Sequence, residues 1–325
     1  MRTAGLAFTA ETQRTRRIRR GKAKKGFRSV GARLSGAGSH AEKAEERAAG
    51  AWRRAVWVCL PALILWFAGV LGAQTFVQMT DTQFGMYTED HGFAHETANF
   101  EFAIAAANRL KPAFVIVTGD LVNKAGDAAE IAEYKRVAAK LGPGIRLFNL
   151  PGNHDVGNEP TAASLAVYRE QFGPDYYAFR VGGIHGIVLD SNLEKDVRNV
   201  PGEAAKMEAW LKTELEKERR EGVAHPIVFQ HIPLFLSDPN EPDQYFNIPR
   251  ETRLRYLKIL HEYGVQQVFA GHLHHNSDGR DGGLEMITSG PVGKPLDSGK
   301  SGIQVVTVSP GGAVSHRYYD FGDLP

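Results

Sequence analysis

The apolar run Ile145 to Leu150 breaks at once into Pro151-Gly152-Asn153-His154-Asp155. A short apolar run closed by a Pro-Gly turn reads as a buried strand. Three adjacent polar side chains have little structural reason to crowd its end. Taken alone, Asn-His-Asp is equally compatible with an ordinary loop, because a short motif stays a hypothesis until its context is known. The context is four more apolar runs that finish in polar clusters: Asp81-Thr82-Gln83, Gly119-Asp120-Leu121-Val122-Asn123, Gln230-His231 and Gly271-His272-Leu273-His274. In open α/β sheets ligands bind outside the carboxyl ends of the strands, so five such ends converge on one site. Each cluster has a plainer explanation. Asp81 and Asp120 could be helix N-caps, His231 a satisfied core histidine, and His272 and His274 turn residues. Coincidence across all five, in this order, is the weaker account.

The spacing between these ends fits a layered αβ domain. Strands are expected at 75–80, 114–118, 145–150, 227–230 and 265–270, with a hairpin at 176–181 and 184–189 across Gly182-Gly183. Helical periodicity appears at 96–110, 128–141, 161–172, 203–221 and 249–263. Pro112 and Gly142-Pro143 close the first two of these, and Pro249 opens the last. The tail, with runs at 284–289, 303–308 and 313–319, reads as antiparallel β. Alternating strands and helices followed by a β-rich end argue for helices packed around a buried sheet.

Charge divides the 325-residue chain unevenly. Residues 1–73 carry a net charge of +11 and residues 74–325 a net charge of −9. Residues 1–50 hold the dense basic run Arg16 to Lys25 and almost no large apolar groups. They cannot bury enough surface to order themselves, and read as a solvated extension rather than a tail for nucleic acid or anionic lipid. Residues 51–73 begin with Arg53-Arg54 and continue through an apolar run, Ala55 to Ala73, broken by Pro61. That pattern fits a signal peptide cleaved after Ala73 or, since about 20 residues suffice to span, an uncleaved anchor. Either way the globular domain, 74–325, is expected to be exported, periplasmic or extracellular, with membrane contact only through 55–73. Its acidic charge makes it a poor partner for nucleic acid. The single cysteine, Cys59, lies in the apolar run, so any metal in the domain must be held by oxygen and imidazole groups.

Carboxylates, an amide and several imidazoles suit Mn, Fe, Zn or Mg, and a shared carboxylate can bridge two such ions. A pair of ions clamps the attacking and departing oxygens of an in-line displacement, which is chemistry for a phosphate ester. In the order of its clusters the chain resembles the calcineurin-like metallophosphoesterases over about residues 75–320, and is most similar to the calcineurin-like phosphoesterase domain-containing protein 1 group. The longer strings Asp81 to Gly85, Gly152 to Asn158, Val228 to Leu236, Tyr245-Phe246-Asn247 and His316 to Tyr319 carry the likeness most specifically. The resemblance implies a four-layer αββα sandwich of two packed mixed sheets flanked by helices. It implies two divalent metal ions, the first held by Asp81, Asp120 and His274, with Gln83 ligating through its carbonyl oxygen. Asp120 would bridge to the second, completed by Asn153, His231 and His272. His154 would sit beside the scissile group, with Asp155 orienting its ring, and a metal-bound hydroxide would attack phosphorus.

Most of that superfamily has His where this chain has Gln83, which leaves the affinity and identity of the first ion open. Asn123 could orient ligands or cap the following helix. His91, His95 and His275 read as solvent or loop residues, and Tyr87, Phe84 and Tyr245 as packing or a substrate wall. The expected activity is hydrolysis of phosphate monoesters, on a small molecule or a phosphoprotein. A phosphodiesterase and a non-catalytic exported metal-binding protein are the alternatives. The segments 192–202 and 237–247 are where an element limiting substrate size could sit.

Overall fold

The computed structural model describes residues 72–222 and 225–324. The basic extension, and the signal or anchor segment apart from Gly72 and Ala73, lie outside the described residues. In chain order, strand β1 (Gln74–Met79) is followed by helix α1 (Ala94–Leu110), β2 (Phe114–Thr118), α2 (Ala128–Ala138) and β3 (Arg146–Leu150). A short helix α3 (Asn153–Val156), α4 (Ala162–Phe172), β4 (Tyr177–Val181) and β5 (Ile184–Val188) come next. Then follow the helical turn α5 (Asn192–Lys195), α6 (Pro201–Glu221), β6 (His225–Phe229), α7 (Arg250–Glu262) and β7 (Gln267–Ala270). The chain ends in β8 (Ser277–Asp281), β9 (Leu284–Thr288), β10 (Gly302–Val308) and β11 (Val314–Asp320).

These strands form two mixed sheets, of order β11-β10-β1-β2-β3 and β4-β5-β6-β7-β9-β8. In the first, β1, β2 and β3 are parallel, with α1 and α2 as crossovers. In the second, β5, β6, β7 and β9 are parallel, with α6 and α7 joining successive members. The central strand β2 is buried at every residue, as a strand covered on both faces is, and so it reads as a nearly continuous apolar run; edge strand β3 keeps Arg146 exposed. Along β1, Phe76 joins a core between the sheets, whereas Val77 and Met79 join the core beneath the helices.

The core between the sheets is largely aromatic. Phe76 stacks on Phe114 at 4.8 Å and meets Phe229 and Phe269 of the opposite sheet edge-on at 5.6 and 5.5 Å. Gln78, fully buried beside this layer, ties the sheets together near the site. Its Nε2 donates to Thr118 Oγ1 (3.0 Å) and to the Ala270 carbonyl (2.8 Å).

Two expectations need correction. The strand at 284–288 is parallel to β7 and antiparallel only to β8, so the tail is not wholly antiparallel. β8 itself, Ser-Asp-Gly-Arg-Asp, has no apolar alternation to announce it. It pairs at the sheet edge through the Gly282-Gly283 turn, where exposure on one side tolerates polar residues.

Phe76→Ala removes a ring that touches both sheets without touching the site. The expected loss is about 3–5 kcal/mol of unfolding free energy, measured by urea denaturation; a loss under about 1 kcal/mol would show that the sheets close over the gap.

Candidate metal centre

All five polar clusters meet at one place. Three follow β1, β2 and β3 of the first sheet, and two follow β6 and β7 of the second. Neither Asp81 nor Asp120 caps a helix. The N-cap of α2 is Asp127, which accepts from the Ala129 and Glu130 amides, so Asn123 does not have that role either.

The backbone at the site is forced. Asp81, Gln83, Asp120, His272 and His274 all have positive φ, at 51°, 41°, 50°, 67° and 59°. Non-glycine residues rarely adopt this region, and when they do they cluster at functional sites. Two glycines show why the turns are built so tightly. A Cβ on Gly152 would fall on the Asp120 carboxylate, and one on Gly271 would fall on Thr80 Oγ1 and Asp81.

Three imidazoles are held by backbone carbonyls. His231 Nδ1 donates to the Thr118 carbonyl (2.9 Å) and His274 Nδ1 to that of Lys294 (2.6 Å). His272 reverses the pattern, its Nε2 donating to the Tyr245 carbonyl (3.3 Å). Such bonds fix the tautomer and leave the other ring nitrogen as a lone-pair donor. His231 Nε2 then faces Asp120 Oδ2 at 3.2 Å and Asn153 Oδ1 at 3.2 Å, while His274 Nε2 faces Asp81 Oδ1 at 3.3 Å. Lone pairs turned on one another in a buried site repel unless a proton or a cation lies between them. Without a cation a proton serves: burial alone would lower His231, but Asp120 and the Thr118 carbonyl push it up to about 9.

The donor atoms of Asp120, His231 and His272 all lie within 4.8 Å of one another, as do those of Asp81, Asp120 and His274. All five residues are buried. Gln83 Oε1 is buried with no hydrogen-bond partner, while its Nε2 donates to Asn123 Oδ1 (3.2 Å). Oxygen and imidazole donors with fixed tautomers, and an orphaned amide oxygen beside them, fit a divalent cation.

His154 and Asp155 part company. His154 is half-buried, and its Nδ1 donates to the Asn123 carbonyl at 2.8 Å. Asp155 does not orient that ring. Its buried carboxylate accepts from the amides of Leu121 (3.0 Å), Val122 (3.2 Å) and Gly152 (2.8 Å), locking the turns after β2 and β3 together. Asn123 is a junction that the sequence hinted at only weakly. It bonds Gln83 and Asp90 through its side chain and takes the His154 proton on its carbonyl.

The weaker candidates separate cleanly. Phe84 is core, packed edge-on against Phe93, Phe100 and Tyr134. Tyr87 stacks on exposed His95, and exposed His275 pairs with Asp297. His91 is exposed. Tyr245 stands at the site. Asn153 Nδ2 donates to its hydroxyl (3.2 Å), and its ring lies 4.9 Å from that of His272. Burial and the Asp120 carboxylate raise its phenol, which keeps the proton.

A model of the calcineurin-like phosphoesterase family matches residues 75–276. The serine/threonine-protein phosphatases CPPED1 of Bos taurus and Homo sapiens are each 34% identical to the chain, covering 77% of it and 84% of their own length. Among solved structures, purple acid phosphatase PPD1 from yellow lupin seeds superposes with a TM-score of 0.58 at 14% identity, covering 78% of this chain and 52% of that one. A dimetal phosphatase from Danio rerio does so with a TM-score of 0.53 at 14% identity, covering 76% and 99%. At these identities the two structures show a shared fold.

Glu130 gives the site a pH dependence that can be checked. Its Oε2 accepts from the Asn123 and Lys124 amides (3.0 and 2.9 Å). Burial, reinforced by the charges of Asp90 and Asp127, pushes it up to about 7 from 4.5. A carboxyl raised on folding binds its proton more tightly in the folded state, so its contribution to stability falls as pH rises from about 4.5 to about 7 and is flat above. Relative to Glu130→Gln, the wild type is therefore expected to lose stability across that window in denaturant titrations. A wild type that gains on the variant as pH rises would contradict this.

Proposed function

The chain belongs to the calcineurin-like phosphoesterase family, and from that premise we propose that this phosphate ester hydrolase acts on phosphate monoesters with two divalent ions held side by side. The observation that carries the reading is Asp120, a member of both donor groups. Asp81, Gln83, Asp120 and His274 would hold one ion, and Asp120, Asn153, His231 and His272 the other. Mn, Fe, Zn or Mg would each suit this set. Bound, the pair supplies Lewis acidity to the phosphoryl oxygens and lowers the pKa of an attacking water.

The protein does the rest. The carbonyls of Thr118, Lys294 and Tyr245 hold the three imidazoles in their ligating tautomers. Asp155 fixes the spacing of the Asp120 and Asn153 turns. His154, with Nδ1 donating to the Asn123 carbonyl, would carry a second proton on Nε2 as the imidazolium and in that form deliver it to the leaving oxygen. Relatives named serine/threonine-protein phosphatases favour monoesters, since phosphoserine and phosphothreonine are monoesters. Export is part of the same reading. The paired arginines and apolar run of 51–73 would carry the domain out of the cytoplasm, away from cytosolic phosphoproteins.

Stripped of metal, the purified protein is expected to lose hydrolysis of an aryl phosphomonoester and to regain it with one of Mn, Fe, Zn or Mg. His154→Ala should keep its ions and fall by about 10²-fold or more, as for a lost general acid. A folded, metal-loaded protein inert to the monoester but active on a diester would overturn the substrate class. For export, a reporter enzyme active only outside the cytoplasm, fused at the C-terminus, should be active in a bacterial host and lose activity when 51–73 are deleted. Equal activity in both would overturn it.

A further inference from the structure

We propose that the Tyr245 hydroxyl binds the phosphoryl group of the substrate, making Tyr245 a catalytic residue outside the metal-ligand motifs; the proposal rests on the phosphoesterase reading above. Tyr245 belongs to the connection between β6 and α7, which has no regular secondary structure. An aromatic residue serving only to pack would be covered. Tyr245 is 51% exposed, while Asn247 and Ile248 beside it are fully buried.

The loop is nevertheless fixed. Lys195 Nζ donates to the carbonyls of Gln244 (2.7 Å), Tyr245 (3.1 Å) and Asn247 (2.6 Å). The buried Arg253 guanidinium donates to those of Pro239 (3.0 Å), Glu241 (2.8 Å) and Ile248 (2.9 Å). Backbone groups outside helices and sheets need partners when buried, and here two cations supply them. The exposed ring is thus presented in one place.

That place is the rim of the metal centre. The Tyr245 carbonyl holds His272, its ring lies on that imidazole, and its hydroxyl accepts from Asn153 Nδ2. Since Asn153 donates, the phenol proton is directed away from it. The exposed Asn158 side chain hydrogen-bonds the same hydroxyl and, like Asn153, lowers its phenol, as a donor does. A neutral donor beside the second ion group meets the oxygens of whatever anion those ions draw in. A hydrogen bond to a charged phosphoryl oxygen is stronger than one to a neutral acceptor, and charge grows on these oxygens during transfer.

The test is Tyr245→Phe in the full metal-loaded chain, compared with wild type in metal content, binding of inorganic phosphate by calorimetry, and kcat/KM for an aryl phosphomonoester. Loss of one hydrogen bond to a charged group predicts phosphate binding weakened about 10- to 100-fold and kcat/KM lowered at least as much, with metal content unchanged. Unaltered phosphate binding would overturn the proposal and leave the hydroxyl a strut between Asn153 and Asn158. Loss of an ion in the variant would overturn it too, since the hydroxyl would then act through Asn153. A wild type that binds metal and phosphate but hydrolyses no monoester would defeat the phosphomonoesterase reading, while the phosphate comparison still decides the role of Tyr245.

Discussion

Everything at the strand ends depends on the burial of the Asp120 carboxylate. It is 1% exposed, at the point where the parallel strands of both sheets finish. An isolated carboxylate there would be several kcal/mol out of balance. Burial alone would raise it, yet His231, His154 and His272 hold it well below the usual carboxylate range. Its surroundings read as consequences. The His154 amide donates to Oδ1 at 2.9 Å, and His231 Nε2 faces Oδ2. Gly152 has no side chain because any would displace the carboxylate. A negative charge so placed calls for a cation, and the second carboxylate, Asp81, increases that demand.

Such a site can persist only on a stiff frame. Left-handed backbone at a residue with a side chain costs of order 1–3 kcal/mol, and five of the site residues adopt it. The cost is met collectively by strands sealed between an aromatic layer and the helices, and by Gln78, which joins the ends of β1, β2 and β7 directly beneath the clusters. Asp155 completes the frame. It works as a backbone clamp and not as a partner to His154, which explains a buried acid next to a half-exposed imidazole.

This division decides what could be read from the residues alone. β2 was legible because burial on both faces makes it almost wholly apolar, and the ligand clusters because they interrupt such apolar runs. The pairing of Asp120 with two ligand groups is what the resemblance to the metallophosphoesterases implied, and the donor atoms bear it out. Backbone carbonyls could not be foreseen: those of Thr118, Lys294, Tyr245 and Asn123 set the four imidazoles at the site, and a carbonyl leaves no mark in the choice of side chain. β8 was hidden because an edge strand needs no apolar face. The role that the resemblance implied for Asp155 does not hold, because the turn directs its carboxylate back onto the Leu121, Val122 and Gly152 amides and away from the His154 ring.

The loop over the site shows the same logic carried beyond the strands. Its residues, Ser237 to Asn247, are rich in Pro, Asp and Asn, a composition that ordinarily marks a mobile connection. Order comes instead from Lys195 and Arg253, one a compact ammonium with three donors and the other a planar fork with five. Each collects carbonyls that no strand or helix satisfies. Burial lowers the Lys195 ammonium, and the Asp243 carboxylate offsets part of that. Contacts made through backbone carbonyls do not constrain which side chains the loop displays. Exposed side chains of the loop can therefore change without disturbing the candidate ion ligands, which strands and carbonyls fix. The fold thus builds the candidate ion ligands on the sheets and frames the rim beside them with a loop held by two cations, which the sheets do not have to accommodate.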